Sequence, residues 1–392
     1  MSVPGAQKNK PLACYRILSP LCGLRVSPIA LGGMSLGDKW AGMGEMTKKK
    51  GFELLDAYYE MGGNFVDTAN NYQDEVSEEW VGEWMEQRGN RDQIVVATKY
   101  SCNYKLNAPA TQYPIKVSYV GNNAKSLHIS LEASLKKLRT SYVDILYLHW
   151  WDFGTGVEEV MNSLHVEVMR GRVLYLGVSD TPAWVVAKAN QYARDHGKTP
   201  FCIYQGRWNV LERSFERDII PMARSEGLAL APWDVLVAGR LRSNTEEEAR
   251  NNSGENGRMM YRDTWKRSDE ETKMAKVLEE IAMECGLGDA GNTSSEGGGM
   301  AVAIAYVMQK TTYVFPILGG RKVTHLRSNL RALKIQLTEE HMSRIEGVAK
   351  FQVGFPNSII GDGFKEGSLL AEQRAATEDL WPLAQPIMPR SL

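Results

Sequence analysis

Four residues of this chain, Asp67, Tyr72, Lys99 and His149, have the types needed to move a proton onto or off a carbonyl oxygen. Asp67 closes an apolar run in NFVDTANNY, and Tyr72 follows five residues later. Lys99 follows the run VVAT, and His149 follows DILYL. Singly, each has a plainer reading. Asp67 would cap a strand, Tyr72 would cover an interface, Lys99 would reach solvent, and His149, between Leu148 and Trp150, would be a core histidine. Jointly they make one device. A phenol has an unperturbed pKa of about 10, and a cation beside it stabilises the phenolate. A carboxylate holds that cation in place, and a histidine orients a substrate oxygen. This equipment protonates a carbonyl oxygen while hydride reaches its carbon, or runs the reverse. With one histidine and no cysteine, the set does not make a metal site. It also lacks a serine or cysteine nucleophile paired with a base.

Something must bring these four residues together. Short β-branched runs at 29–31, 64–67, 94–98, 143–148, 173–178, 202–204, 228–232 and 313–318 read as strands. Several are apolar without alternation, the pattern of strands covered on both faces. Amphipathic stretches lie between them. Thr155 and Glu158 have capping-box spacing ahead of Val157, Val160, Met161, Leu164 and Val168. Thr181-Pro182 reads as a helix cap and first turn, and Val76, Trp80, Val81, Trp84 and Met85 form a further apolar stripe. Strands alternating with helices predict a (β/α)8 TIM barrel, with a β-hairpin at 14–27 closing its floor. An open doubly wound sheet is the alternative, but no G-x-G-x-x-G follows the first strand. In such a barrel the active site lies at the C-terminal strand ends, where all four residues fall.

Composition constrains the remainder. The chain has 392 residues, 43% of them apolar, with 46 Lys and Arg against 47 Asp and Glu. That balance is not the footprint of a general nucleic-acid binder. Five widely spaced cysteines without a C-x-x-C argue against disulfides and zinc, and for a reducing compartment. The N-terminus lacks the apolar core of a signal peptide, and no uncharged apolar run nears the ~18 residues that span a membrane. We expect a cytoplasmic protein forming one barrel, with a core over about 26–349 and a tail over 350–392. Segments 101–123, 239–267 and 286–299 read as long loops, the first two covering a site and the third mobile.

Hydride chemistry needs a cofactor across the same rim. Ser179 and Asp180 follow the fifth strand. Gln205 follows the sixth and offers the donor and acceptor that match a carboxamide. Trp233 follows the seventh and offers a flat face. After the eighth, Gly319-Gly320-Arg321-Lys322 opens a helix over 323–332 containing Asn329. Glycines there admit backbone N–H groups to a phosphate, with Arg and Lys adding charge.

The segments GGNFVDTANNYQDEVSEEWVGEW, IVVATKY, DILYLHWWD, LGVSD, YQGRWNVLER and PILGGRKVTHLRSNLRAL resemble, in order, those of the aldo-keto reductase superfamily. APWDVLVAGRL and FQVGFPNSIIGD resemble its fungal aryl-alcohol dehydrogenase and norsolorinic acid reductase group. The resemblance implies a barrel using NADP(H). In it Tyr72 is the general acid/base, Lys99 its activator, Asp67 the support of Lys99, and His149 the group that orients the carbonyl. It implies that Ser179, Asp180 and Gln205 hold the nicotinamide carboxamide and that Trp233 stacks on its ring. Gly239 and Arg240 fall in the loop over the pyrophosphate. Gly319, Arg321 and Asn329 match the adenosine and 2′-phosphate segment, with Lys322 beside them. Three positions depart from the family: Asp180 where Asn is common, Trp233 where Tyr is usual, and His325 where many members carry Arg.

The substrate expected is a small aromatic carbonyl or alcohol. Trp40, Tyr100, Tyr104, Trp150, Trp151 and Trp208 are candidate walls of its pocket. A dedicated tailoring ketoreductase of fungal secondary metabolism is the alternative reading, and a non-catalytic NADPH-sensing subunit a third. No nucleic acid or membrane partner is expected. Segment 239–267, rich in Gly, Asn and charge, is expected to order on cofactor binding.

Overall fold

The computed structural model describes residues 10–43, 46–253, 258–259, 264–287, 297–361 and 385–389. Two antiparallel strands, β1 (Arg16–Ser19) and β2 (Cys22–Val26), come first. Eight parallel strands follow: β3 (Ala30–Gly32), β4 (Phe65–Asp67), β5 (Val95–Tyr100), β6 (Val143–Leu148), β7 (Val173–Ser179), β8 (Phe201–Arg207), β9 (Ala229–Trp233) and β10 (Ile317–Gly319). They lie side by side in the order β10-β3-β4-β5-β6-β7-β8-β9. The sheet closes at Leu230, whose N–H donates to the Tyr313 carbonyl (2.9 Å) and whose carbonyl accepts from Phe315 N–H (2.8 Å). The expected eighth strand is therefore split between a bridge at Val314 and the short β10.

Side chains of a strand alternate between its two faces, and here that period carries the function. Phe65, Val95, Ala97, Ile145, Tyr147, Ile203, Ala229 and Ala231 point into the barrel, joined from below by Leu18, Cys22 and Val26 of the hairpin. The interleaved Val66, Val96, Leu146, Leu148, Val178 and Leu230 pack outward against the helices. Two residues further along each inward row come Asp67, Lys99, His149, Gln205 and Trp233. The apolar floor and the polar rim are thus successive layers of the same strands. Gly177 on β7 leaves room for Tyr147, because a Cβ there would lie 2.4 Å from its ring.

The helices are α1 (Lys48–Glu60), α2 (Val76–Arg88), α3 (Ala124–Leu138), α4 (Val157–Met169), α5 (Ala183–Asp195), α6 (Ile219–Glu226), α7 (Asn244–Ser253), α8 (Asp269–Glu284), α9 (Gly298–Lys310), α10 (Val323–Asn329), α11 (Glu339–Val348) and α12 (Asn357–Ile360). Of the α2 stripe, Trp80, Val81, Trp84 and Met85 are buried and Val76 is half-buried. The capping box at α4 is not formed. Asp152 accepts from the Thr155 N–H and hydroxyl, and Gly156 becomes the N-cap without a side-chain bond. Thr181 likewise turns its hydroxyl to the Ser179 carbonyl, leaving Pro182 as the cap of α5. Segment 239–267 is not a plain loop, since α7 lies within it, and 254–257 and 260–263 are outside the described residues. Of segment 286–299, residues 288–296 are also outside them, and Gly298 and Gly299 open α9. Of the tail, 362–384 and 390–392 are outside them. Its first part docks on Arg217, which donates to the Gln352 and Val353 carbonyls. No helix among the described residues is long and apolar enough to cross a membrane.

Candidate active site

The centre of the rim is an ion pair sealed from water. Lys99 Nζ donates to Asp67 Oδ1 at 2.5 Å and to the Thr68 carbonyl at 2.7 Å. The other Asp67 oxygen accepts from Gln205 Nε2 at 2.9 Å. Lys99 is completely buried, and that burial lowers its pKa against the opposing pull of Asp67. Its ammonium lies 4.9 Å from the centroid of the Tyr72 ring. A cation so placed favours the phenolate.

Tyr72 is positioned by an unusual piece of backbone. Gln73, Asp74 and Glu75 take φ values of 52°, 52° and 83° in succession, a left-handed run costly for residues with a Cβ. Side chains hold it. The buried Gln73 amide accepts from the N–H groups of Lys39 and Trp40 and donates to the Met34 carbonyl. Asp74 accepts from the Trp40 indole, and Glu75 pairs with Lys105 and Lys137. The run therefore ties Tyr72 to Trp40, and the two rings meet edge-on at 6.3 Å.

The His149 ring stands 5.9 Å from that of Tyr72. Burial, reinforced by the charge of Lys99, holds its pKa well below the ordinary value, so the imidazole is neutral. The Cys102 sulfur lies 3.3 Å from His149 Nδ1. Burial pushes the Cys102 thiol up to about 12. A protonated thiol at Nδ1 favours the tautomer with hydrogen on Nε2, which is then a donor for a substrate oxygen. Sequence reasoning missed Cys102, and no motif marks it.

Asp67, Tyr72 and His149 line one cavity of 1170 Å³ that continues along the strand ends. Lys99 lies behind its wall. Ser179, Asp180, Gln205, Trp233, Gly239, Gly319, Arg321, Lys322 and Asn329 all line it, as does Trp40. Asp180 Oδ1 accepts from the Trp233 indole at 3.3 Å. Arg242, Arg250 and Arg258 also line it, although none stood out in the sequence. Arg258 donates to Ser35 Oγ, in the segment after β3, at 2.9 Å and lies over Gly319. Burial and then the charge of Arg321 bring its guanidinium down to about 10. Cations crowded this closely are relieved by a bound anion, so the donor set fits a chain of phosphates.

Over residues 28–350 the chain matches the model of the aldo/keto reductase family. It is 55% identical over 390 residues to an aryl-alcohol dehydrogenase [NADP(+)] of Phanerodontia chrysosporium, covering 99% of this chain and 98% of that protein. The chain belongs to the aldo/keto reductase family. Other aldo/keto reductases similar to it include a putative aryl-alcohol dehydrogenase, AAD14, of Saccharomyces cerevisiae, 52% identical over 90% of both chains. Norsolorinic acid reductase A of Aspergillus parasiticus is 46% identical over 98% of this chain and 93% of its own.

Two groups of expected site residues lie elsewhere in this aldo/keto reductase. Arg240 is buried away from the cavity and pairs with Glu271 at 2.9 Å, whereas Arg242, Arg250 and Arg258 line the cavity, together with Arg321, Arg327 and Arg331. Replacing Arg240 with methionine should lower the melting temperature, since removing one side of a buried ion pair costs about 3–5 kcal/mol. Cofactor affinity should change little, and a loss of affinity without loss of stability would contradict this placement. Of the six aromatic candidates, only Trp40 lines the cavity. Tyr100 and Tyr104 are buried and donate to the carbonyls of Asn122 and Ile129. Trp208 is buried, stacks on Phe215 and donates to Glu216. Trp151 packs on the helix-side core, and Trp150 faces solvent. Tyr100 and Trp150 stand next to the inward-facing Lys99 and His149, and Tyr104, Trp151 and Trp208 lie in the segments that follow the strands.

Proposed function

We propose that this chain is an NADP(H)-dependent oxidoreductase that interconverts an aryl aldehyde or aromatic ketone with its alcohol. One observation carries the reading. A buried Lys99–Asp67 pair lies under the Tyr72 ring, beside a neutral His149, on a cavity that also carries a crowded set of arginines. A cavity of 1170 Å³ exceeds what a single small ligand needs and leaves room for a dinucleotide with a small substrate.

NADP(H), when bound, supplies or accepts the hydride at the carbonyl carbon. Tyr72 gives its hydroxyl proton to the carbonyl oxygen in reduction and takes it back in oxidation. Lys99 stabilises the phenolate that reduction leaves, and Asp67 keeps that ammonium in place with both its oxygens engaged. His149 Nε2–H fixes the carbonyl oxygen toward Tyr72. Asn329, Arg321, Lys322, Arg242, Arg250 and Arg258 hold the phosphates. Trp40, fixed by Gln73 and Asp74, gives the substrate an aromatic wall. The names of the relatives at 55% and 52% identity support an aryl substrate, and the first also names NADP(+).

The test is oxidation of NADPH in the presence of dimethoxybenzaldehyde and a panel of aromatic ketones. Turnover with the aldehyde, faster with NADPH than with NADH, is expected. Tight NADPH binding without turnover of any aromatic carbonyl would overturn the assignment. Turnover of an aromatic ketone alone would redirect it to a tailoring ketoreductase.

A further inference from the structure

We propose that Asn71 is a specificity-determining residue that hydrogen-bonds a phenolic hydroxyl on the ring of the aromatic carbonyl substrate. This rests on the reading above and narrows its substrate class to hydroxyaryl aldehydes and ketones.

The observation is an amide without a partner. Asn71 immediately precedes Tyr72, is half-buried and lines the cavity. Its Oδ1 is buried and accepts no hydrogen bond, and its Nδ2 donates none to another described residue. A buried amide oxygen left unmet is costly, and such a group in a folded wall calls for a partner. The groups around it are already engaged. The Trp40 indole donates to Asp74 at 2.9 Å. His149 Nδ1 meets the Cys102 sulfur, and both Asp67 oxygens are taken by Lys99 and Gln205. Asn70, the preceding residue, does not line the cavity, and its Nδ2 turns to Ser130 Oγ and the Cys102 carbonyl, both at 3.4 Å. None of these is left to satisfy Asn71, and the space it faces is the cavity.

The backbone pins the amide beside the reacting atoms. Asn70 N–H donates to the Lys99 carbonyl at 3.1 Å, and the Asn71 carbonyl accepts from Asp74 N–H at 3.1 Å. The Cα of Asn71 lies about 3.8 Å from that of Tyr72. A substrate ring whose carbonyl oxygen is held by Tyr72 and His149 therefore carries its substituents within reach of Asn71. The amide presents one acceptor and two donors, and half a turn about its last side-chain bond exchanges them. A phenolic hydroxyl, donor and acceptor at once, pairs with either face. A methyl group at the same place pairs with neither. A wall built to hydrogen-bond a hydroxyl rejects the analogue that lacks it, because its own polar group then stays unpaired.

The test compares kcat/KM for hydroxybenzaldehydes with kcat/KM for methylbenzaldehydes substituted at the same position, ortho, meta and para. It is run for wild type and Asn71→Leu at mildly acid pH, where each phenol keeps its proton. For at least one position the hydroxyl-to-methyl ratio should be about tenfold higher in wild type than in the variant. Comparing the two enzymes cancels the electronic effect of each substituent on the carbonyl. Leucine keeps the branched shape of asparagine without its hydrogen bonds. Asn71→Ala is a second variant, and a thermal melt shows that each is folded. Equal ratios in wild type and a folded variant at every position would overturn the proposal while leaving the oxidoreductase reading intact. Failure of the wild type to turn over any aromatic carbonyl would overturn both.

Discussion

Tyr72→Phe is expected to lower kcat by about two to four orders of magnitude, the range that a positioned general acid contributes. Kd for NADPH should stay within about twofold, because removing one hydroxyl leaves the arginine-lined part of the cavity untouched. The ring also keeps its edge contacts with Trp40 and His149 and its position over Lys99. Only the proton donor is lost, so kcat and kcat/KM should fall together. Steady-state kinetics with a fluorescence titration of NADPH separate these effects. Equal rates for variant and wild type would remove Tyr72 from the proton path.

A larger combined effect is expected from Lys99→Met. Activity should fall for want of a cation beneath Tyr72. Stability should fall as well, by about 3–5 kcal/mol, because Asp67 would remain as an uncompensated charge in a dry site. Its remaining side-chain partner, Gln205, supplies a single hydrogen bond. Pairing the substitution with Asp67→Asn separates the two roles. The double variant has no unpaired charge and should recover most of the lost melting temperature, yet it should remain inactive. Recovery of turnover in the double variant would show that Lys99 acts structurally and not on Tyr72.

The residues proposed for catalysis were legible in the sequence because a strand's two-residue period dictates where they point. Asp67, Lys99 and His149 extend inward rows whose lower members are apolar. Tyr72 needed only a short turn to join them. No such rule governs residues next to an inward position or inside a connecting segment. Trp150 and Trp151 follow His149 immediately, and one faces solvent while the other packs on helices. Arg240 and Arg242 sit two positions apart, yet only Arg242 reaches the cavity. The turn over Val237 and Ala238, with φ of 50° and 53°, reorients the chain just before them. Cys102 and Gln73 act through three-dimensional neighbours, which spacing along the chain does not encode. The capping box failed for a related reason. Asp152, three residues earlier, competes for Thr155 and wins with two bonds.

The hairpin of β1 and β2 has a wider consequence. With Leu18, Cys22 and Val26 seated beneath the inward rows, the barrel is a cup with a sealed base. Folding determinants and chemical determinants are therefore separated along its axis. Changes at the base should be felt as loss of folded protein at constant specificity. Changes in what the enzyme accepts must come through the rim, where Trp40, the segment carrying α7 and the turn after β10 meet. Lineages that keep the base and vary the rim can diversify their substrates without renegotiating the fold.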